Sequence, residues 1–527
     1  MPQVTSTGAS NTNILALADY LYGEPTNSSG SKLLQGNAQR VWTLNTEDLW
    51  VQDNFQATRK LDINYGIRYT IPGAIQAAKN DVYSFVPGAN PGFQLGLYNN
   101  YYKAFAPRVG IAYSPFDSNA TVVRGSYGVF YDFPAMSNWV TGTTTNGGAN
   151  YAQNNPAGVD AAAIFVQSNV QWQVGVNPFV GANAPQVGAF GVNQDFKMPY
   201  AEVFSLGIEQ QLSKTTLFTL GYVGTEGRRL SVLYDINQPV ANGTATPSVR
   251  PYTQTAFPNQ NPIFTGKSLV GINQLNFKAS SNFNSFQATI KQALWHGVQT
   301  TLNYTWGKSM DDISSSTTPM NSYNLHQDYG PSTFDNRHLL NGFVYYAVPQ
   351  LFHAMPRLTR GFQLNAIYTY STGIPISPGI TTDISKTNQL HDRPNVVAGI
   401  NPYTGLKLSS STAGGRQYSW MSNATGAFTT PAVGTYGNEQ RDTYYGPNFR
   451  TIDFSLFKHT QITEKVMSEF RVEVFNICNF NNFANPSVSN ITSSTFGLIT
   501  QTRNGAGAPG LGYGEPFNVQ FALKISF

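Results

Sequence analysis

The chain has 527 residues, of which 41% are hydrophobic, 13% aromatic and only 11% charged, with a formal net charge of +4. So small a charge, with no Lys/Arg cluster, excludes a nucleic-acid patch; the single cysteine, Cys478, excludes an intrachain disulfide; and no run of eighteen apolar residues offers a membrane-spanning helix. The charged share is less than half that of an ordinary soluble domain, and Asn, Gln, Ser, Thr, Gly and aromatic residues take its place, the composition of a transmembrane β-barrel with neutral polar groups inside and aromatic girdles at the interfaces.

Residues 1–46 read as a loop region leading into the first strand. The opening MPQVTSTGASNTNILALADYLYG has no basic segment, and Asp19 interrupts its apolar run, so it does not read as a secretory signal peptide. Period-2 segments follow at 47–56 and 60–70, the second placing Leu61, Ile63, Tyr65, Ile67 and Tyr69 opposite Asp62, Asn64, Gly66 and Arg68. Further segments lie at 105–114, 121–131, 201–211, 216–224 and 285–294. Residues 298–307 oppose Val298, Leu302, Tyr304 and Trp306 to Gln299, Thr301, Asn303 and Thr305. Strands at 338–348, 361–371, 449–459, 464–475 and 517–527 bring the set to about thirteen, each near the ten residues that a tilted strand needs to cross a bilayer.

The last strand, FNVQFALKISF, alternates without a break. Phe517, Val519, Phe521, Leu523, Ile525 and Phe527 share one face, expected to meet lipid, and Lys524 falls on the other. An amphipathic strand closed by a terminal aromatic resembles the assembly signal of bacterial outer-membrane barrels. A soluble β-sandwich edge is the bland alternative, and the connections argue against it. Short turns (56–60, 115–120, 212–215, 295–297, 460–463) alternate with long loops (71–104, 132–200, 225–284, 308–337, 372–448, 476–516). That asymmetry belongs to outer-membrane barrels, which turn tightly on the periplasmic side and loop widely outside. With the long loops outside, Phe527 is periplasmic and residues 1–46 begin on the opposite side. An odd count with termini on opposite sides suggests the C-terminal part of a larger barrel.

The blocks DLWVQDNFQATRKLDINYGIRYTIPG (48–73), FAPRVGIAYSPF (105–116), TVVRGSYGVFYD (121–132), STFDNRHLLNGFVYYAVP (332–349), GFQLNAIYTYSTGIPIS (361–377) and FRTIDFSLFKHTQITEKVMSEFRVEVFNICNF (449–480) resemble, in order, segments of TonB-dependent receptors of the Oar-like type. ALADYLYGEP (16–25) and the closing strand fit as well, so the resemblance runs from about residue 14 to the end. Cys478 departs from it, standing where the family more often has a bulky apolar or aromatic residue. The resemblance implies an outer-membrane receptor that takes a ligand in its extracellular loops and passes it through a barrel of about 22 strands. It also implies a signal peptide, a β-sandwich and a plug with a TonB-contacting segment, none of which is recognisable in this sequence. TonB is therefore expected as a partner only through regions missing here. Outer-membrane lipid and the barrel-assembly machinery are the other expected partners, and the ligand is open among carbohydrate, peptide and metal chelate.

Candidate functional residues are few. Arg68, Arg124, Glu469, Arg471, Glu473 and Lys524 fall on polar faces and are candidates for the lumen, read first as a cross-strand network and second as a ligand path. Gly505, Gly507 and Gly510 fit a GxGxxG spacing but precede a strand, which disfavours a dinucleotide site. The six histidines stand far apart, and the pair Asp311 and Asp312 reads as a solvated acidic turn before a cation site. No catalytic, metal or cofactor site is expected, so the reading is a binding and translocation wall and not an enzyme. The long loops 132–200 and 372–448 are the expected ligand-capture elements, and a passive porin, a surface adhesin or a non-functional truncated fragment is the alternative.

Overall fold

The computed structural model describes residues 31–36, 41–77, 83–88, 92–118, 120–134, 139, 151–152, 162–167, 187–252, 269–314, 318–350, 355–412, 415–503 and 516–527. One antiparallel sheet dominates it. Its ladder runs through β1 (Thr46–Thr58), β2 (Leu61–Pro72), β3 (Ala104–Tyr113), β4 (Thr121–Tyr131), β5 (Tyr200–Gln211), β6 (Thr216–Asp235), β7 (Leu269–Trp295), β8 (Val298–Asp311), β9 (His338–Ala347), β10 (Phe362–Ser371), β11 (Phe449–Gln461), β12 (Met467–Phe475) and β13 (Asn518–Ser526). Each pairs antiparallel with the next. Every strand expected from the alternation is present, in the expected order. β1 and β13 are the two ends of this ladder, and no register joins them among the described residues.

Register fixes which side chains share a face, because residues directly opposite in an antiparallel pair point the same way. Phe286 lies opposite Trp306, Ile290 opposite Leu302 and Val472 opposite Phe521, which builds one continuous apolar face. The other face carries Asn303 opposite Asn341, Asn365 opposite Ser455 and Glu469 opposite Lys524. Neighbouring amides bond along this polar face, Asn303 Nδ2 to Asn341 Oδ1 at 3.1 Å and Asn365 Nδ2 to Ser455 Oγ at 3.2 Å.

The turns at the lower end are tight for local reasons. Between β7 and β8 the chain reverses over His296 and Gly297, with φ of 48° and 83°. Two consecutive positive φ values match the right-handed twist of the flanking strands, and glycine takes the second position without strain. The turn between β11 and β12 spans 462–466 and closes by Ile462 N–H to Val466 O at 2.9 Å, so β12 begins at Met467, three residues later than the alternation suggests.

The upper end differs more from expectation. Most of 225–235 and 269–284, read as loop, continues β6 and β7 as a long hairpin. Above the membrane-crossing part both faces of this hairpin are covered, so Val232, Tyr234, Ile272, Leu275 and Phe277 are all buried and the two-residue alternation disappears. Val187–Val192 adds to it in parallel, pairing with residues 269–275. Among the described residues, a small cluster of Val232, Tyr234 and Ala279 and two larger apolar cores fill the space between the long connections. One gathers Ile75, Leu97, Tyr98, Phe190, Phe196 and Phe277 around Trp139, with Tyr98 and Phe196 ring centres 4.4 Å apart. The other joins Ile376, Ile380, Met421, Phe428, Ile491 and Phe496 from the two connections nearest the C-terminus.

Candidate functional site: the polar wall and the loop crown

The charged residues singled out on the polar face are held mostly by neighbours across the ladder. Arg68 grips Asp48 through Nε to Oδ1 at 2.9 Å and Nη2 to Oδ2 at 2.7 Å, and Thr70 donates to the same carboxylate at 2.5 Å. Arg124 donates to Glu209 at 3.1 Å. Glu469 accepts from Arg471 and stands 3.4 Å from His459, while the Arg471 guanidinium lies 5.0 Å from the Phe457 ring centre. Glu473 is opposite Ser455 and Gln520, and Lys524 is opposite Glu469. These groups form three separate clusters along the wall, on β1–β2, β4–β5 and β11–β13, and do not converge on one point. Arg108 was not singled out from the sequence, since its neighbours in the strand carry no charge; it shares a shallow hollow of about 420 Å³ with Arg124, Asp62 and Asn64. In the terminal strand Val519, Phe521, Leu523 and Ile525 are exposed and share the apolar face with Phe470 and Val472.

The polar chemistry that the sequence does not announce lies in the crown above the wall. Arg393 is buried there, with Nη1 2.5 Å from Asp328 and Nε 3.4 Å from Glu439, while Nη2 donates to the Gln327 carbonyl at 2.6 Å. Arg441 bonds Asp311, donates to Asp442 at 2.9 Å and reaches the Asp328 carbonyl at 2.7 Å. Two arginines from the 372–448 connection thus lock four carboxylates from that connection, from the 308–337 connection and from the upper end of β8. Asp311 and Asp312 are therefore not a solvated turn. Both are buried, Asp311 on Arg441 and Asp312 accepting from the Ser280 amide at 2.7 Å. Spacing gave no hint of this network, because its members lie up to 131 residues apart, from Asp311 to Asp442.

Burial sets the protonation of this cluster. The Glu439 carboxyl is pushed well above its usual range by desolvation, against the opposing pull of Arg393. Asp442 rises to about 6 for the same reason, despite Arg441 beside it. Asp392 is raised by burial too; its Oδ2 accepts from the Ile384 and Ser385 amides at 2.7 and 2.8 Å, while Oδ1 has no hydrogen-bond partner. A cleft of about 290 Å³ opens over this region, lined by His391, Asp392, Arg393, Arg441 and Asp442 with Ser314 and Ser377. It offers both signs of charge to a polar ligand at the end of the sheet where the long connections meet.

Of the two loops expected to capture ligand, 372–448 contributes this cleft and 132–200 lies largely outside the described residues. So do Gly505, Gly507 and Gly510.

An antiparallel sheet with one apolar and one polar face, tight turns at one end and long packed connections at the other is the architecture of an outer-membrane β-barrel. Residues 2–520 match the outer membrane beta barrel domain family, and the chain belongs to it. No curated protein matches the sequence. Among solved structures, the chain is similar to the outer membrane transporter YddB from Escherichia coli, with a TM-score of 0.43 and 11% identity over 92% of this chain and 54% of that one. It is also similar to the ferric-catecholate import receptor Fiu from E. coli K12 (TM-score 0.41, 12% identity, 92% and 45% covered). The pyoverdine outer membrane receptor FpvA of Pseudomonas aeruginosa PAO1 gives a TM-score of 0.40 at 11% identity, with 93% and 43% covered. The chain thus spans about half or less of the length of these structures.

Proposed function

We propose that this chain is the ligand-binding and translocating wall of an outer-membrane receptor, with its C-terminus on the periplasmic side. The observation that carries the reading is the crown: the long connections fold into packed cores and are pinned by Arg393 and Arg441 over a polar sheet face. A passive pore gains nothing from buried ion pairs of this kind, whereas a receptor needs a shaped, fixed mouth. The ligand first meets the cleft beside Asp392 and Arg441 and then the amide-lined face running from Asn303 to Ser455, where neutral hydrogen bonds suit a carbohydrate, a peptide or a metal chelate. In the full-length protein TonB supplies the energy through regions other than those described here. The porin and adhesin readings rest on the same barrel.

Uptake separates them. Cells expressing the full-length protein are offered labelled oligosaccharides, peptides and ferric chelates, with and without TonB. A receptor concentrates one class and stops without TonB. Size-limited leakage of all classes, unchanged by loss of TonB, marks a porin; surface binding with no uptake marks an adhesin.

A further inference from the structure

On the apolar side of the sheet, at its upper rim, three cations converge on one cleft. Lys308 lies on β8 in line with Leu302, Tyr304 and Trp306, and Arg450 lies on β11 in line with Ile452, Phe454 and Leu456, the residues that face outward by register. The Arg337 guanidinium stands 5.6 Å from the Trp306 ring centre, on the same side. All three line a cleft of about 710 Å³ whose walls include Trp420, Tyr445 and Phe483 from the long connections.

Height along the strands places this cleft relative to the bilayer. Lys308 stands ten residues above Val298 at the lower turn, and Arg450 stands eleven above Gln461. At about 3.4 Å per residue and a tilt of about 40°, both sit roughly 25 to 30 Å above the turns, the upper edge of an apolar band about 25 Å tall. That is the headgroup level of the outer leaflet.

Positive charge is in excess there, and the Arg450 guanidinium lies 4.2 Å from the Phe480 ring centre. None of the side chains lining the cleft is a carboxylate. Asp335 lies close by, turned to the Tyr445 hydroxyl at 3.2 Å and the Ser309 amide at 2.7 Å, and its single negative charge is outnumbered by the three cations. Among the described residues Lys308 and Arg450 make no ion pair. A solitary cation at an interface snorkels to water and needs no further explanation. Three cations from three segments, around a concave aromatic-walled space, have the form of an anion site.

We propose that this cleft binds the phosphorylated sugar headgroup of an outer-leaflet glycolipid. Lys308, Arg337 and Arg450 take the phosphate oxygens, with the arginines suited to paired donation. Trp420 and Tyr445 present rings and Asn448 an amide to the sugar, and the acyl chains run down the apolar strand face below.

The test uses protein extracted from outer membranes in mild detergent, with bound lipid followed by native mass spectrometry on adding bisphosphorylated lipid A, lipid A with both phosphates removed, or inorganic phosphate. The protein is expected to bind the phosphorylated lipid at least tenfold more tightly than the dephosphorylated one, a comparison that needs no variant. Lys308→Gln with Arg450→Gln should abolish that preference in protein that still shows the heat-modifiable mobility of a folded barrel, and Lys308→Arg should keep it. Equal binding of the two lipids, or an unchanged preference in the folded double variant, overturns the proposal. Inorganic phosphate competing at the concentration of the lipid phosphate also overturns it, by marking a site for a free anion.

Discussion

Arg393 is the residue through which the crown can be tested most directly. Replacing it with Met keeps the length of the side chain and leaves Asp328 and Glu439 buried without their cation; side-chain exposures of 5% and 0% allow water little access. Breaking a buried pair by removing one partner costs about 3 to 5 kcal/mol, because the remaining charge stays desolvated. The loss should be local, since Arg393 ties loop to loop and touches no ladder pairing. Hydrogen exchange in detergent at pH 7.5 should show protection in 318–337 and 372–448 falling by roughly two to four orders of magnitude, at 1.36 kcal/mol per factor of ten. β11 and β12 should keep theirs. Without Arg393 the folded-state pKa of Glu439 stands still further above its unfolded value. Crown stability in the variant is therefore present below the ordinary carboxylate range and lost as pH rises through the raised value, so the deficit should shrink at pH 5. Unchanged protection in these loops, or an equal loss along the ladder, would refute the account of Arg393 as the crown's lock.

Asp442, whose carboxyl rises to about 6, contributes stability that is complete below its unfolded value of 3.8 and lost as pH rises through 6; Asp442→Asn should flatten the change in crown protection between pH 4 and pH 8, and an identical slope would count against the assignment. At Gly297, with φ of 83°, an added Cβ would lie 2.6 Å from the Ala347 carbonyl oxygen, so Gly297→Val should cost about 1 to 3 kcal/mol, read as a lower unfolding temperature in detergent. Phe527→Ser should reduce the amount of folded, heat-modifiable protein in outer-membrane fractions without weakening ligand affinity, and normal levels would remove the terminal strand from the assembly signal.

The ladder was legible because each membrane-crossing strand has one face against lipid and one against polar groups, and that asymmetry writes a period of two into the sequence. Residues 298–307 show it plainly. Where strands leave the membrane the asymmetry ends. Residues 225–235 and 269–284 pack on both faces, with Val232 and Tyr234 in one cluster and Leu233, Leu275 and Phe277 in another on the opposite side, so no single apolar face marks them and the backbone pairing of Leu233 with Leu275 and Tyr234 with Gln274 reveals them as strand. On the polar wall, the sequence identified Arg68, Arg124, Glu469 and Arg471 by their position on a face, and Arg471 pairs with Glu469 two residues away on its own strand, but Asp48 and Glu209, the partners of Arg68 and Arg124, follow from register across strands, which one sequence does not state. The crown was least legible. Arg393, Glu439 and Asp328 occur in stretches with no periodicity and meet only because the 372–448 connection folds back on itself and over the 308–337 connection.

What the two end strands require follows from the same physics. In β1, Leu49, Trp50 and Val51 are consecutive and 65, 71 and 67% exposed, so both faces are open; β13 is exposed along most of its length. Interior strands such as β10 are mostly half-buried on both faces by their neighbours. A strand edge in hydrocarbon leaves backbone N–H and C=O groups without partners at several kcal/mol each, which no side chain on β1 or β13 offsets. In the membrane these edges must therefore be paired, either β13 with β1 or each with further strands of the same protein. The first arrangement requires Phe521 and Leu523 to gain neighbours from Leu49 and Val51 on the apolar face. Cysteines placed at Leu49 and Leu523 would then crosslink in outer membranes. Failure to crosslink at any register from Leu49 to Phe55, in protein that is folded and inserted, would instead require added strands between them.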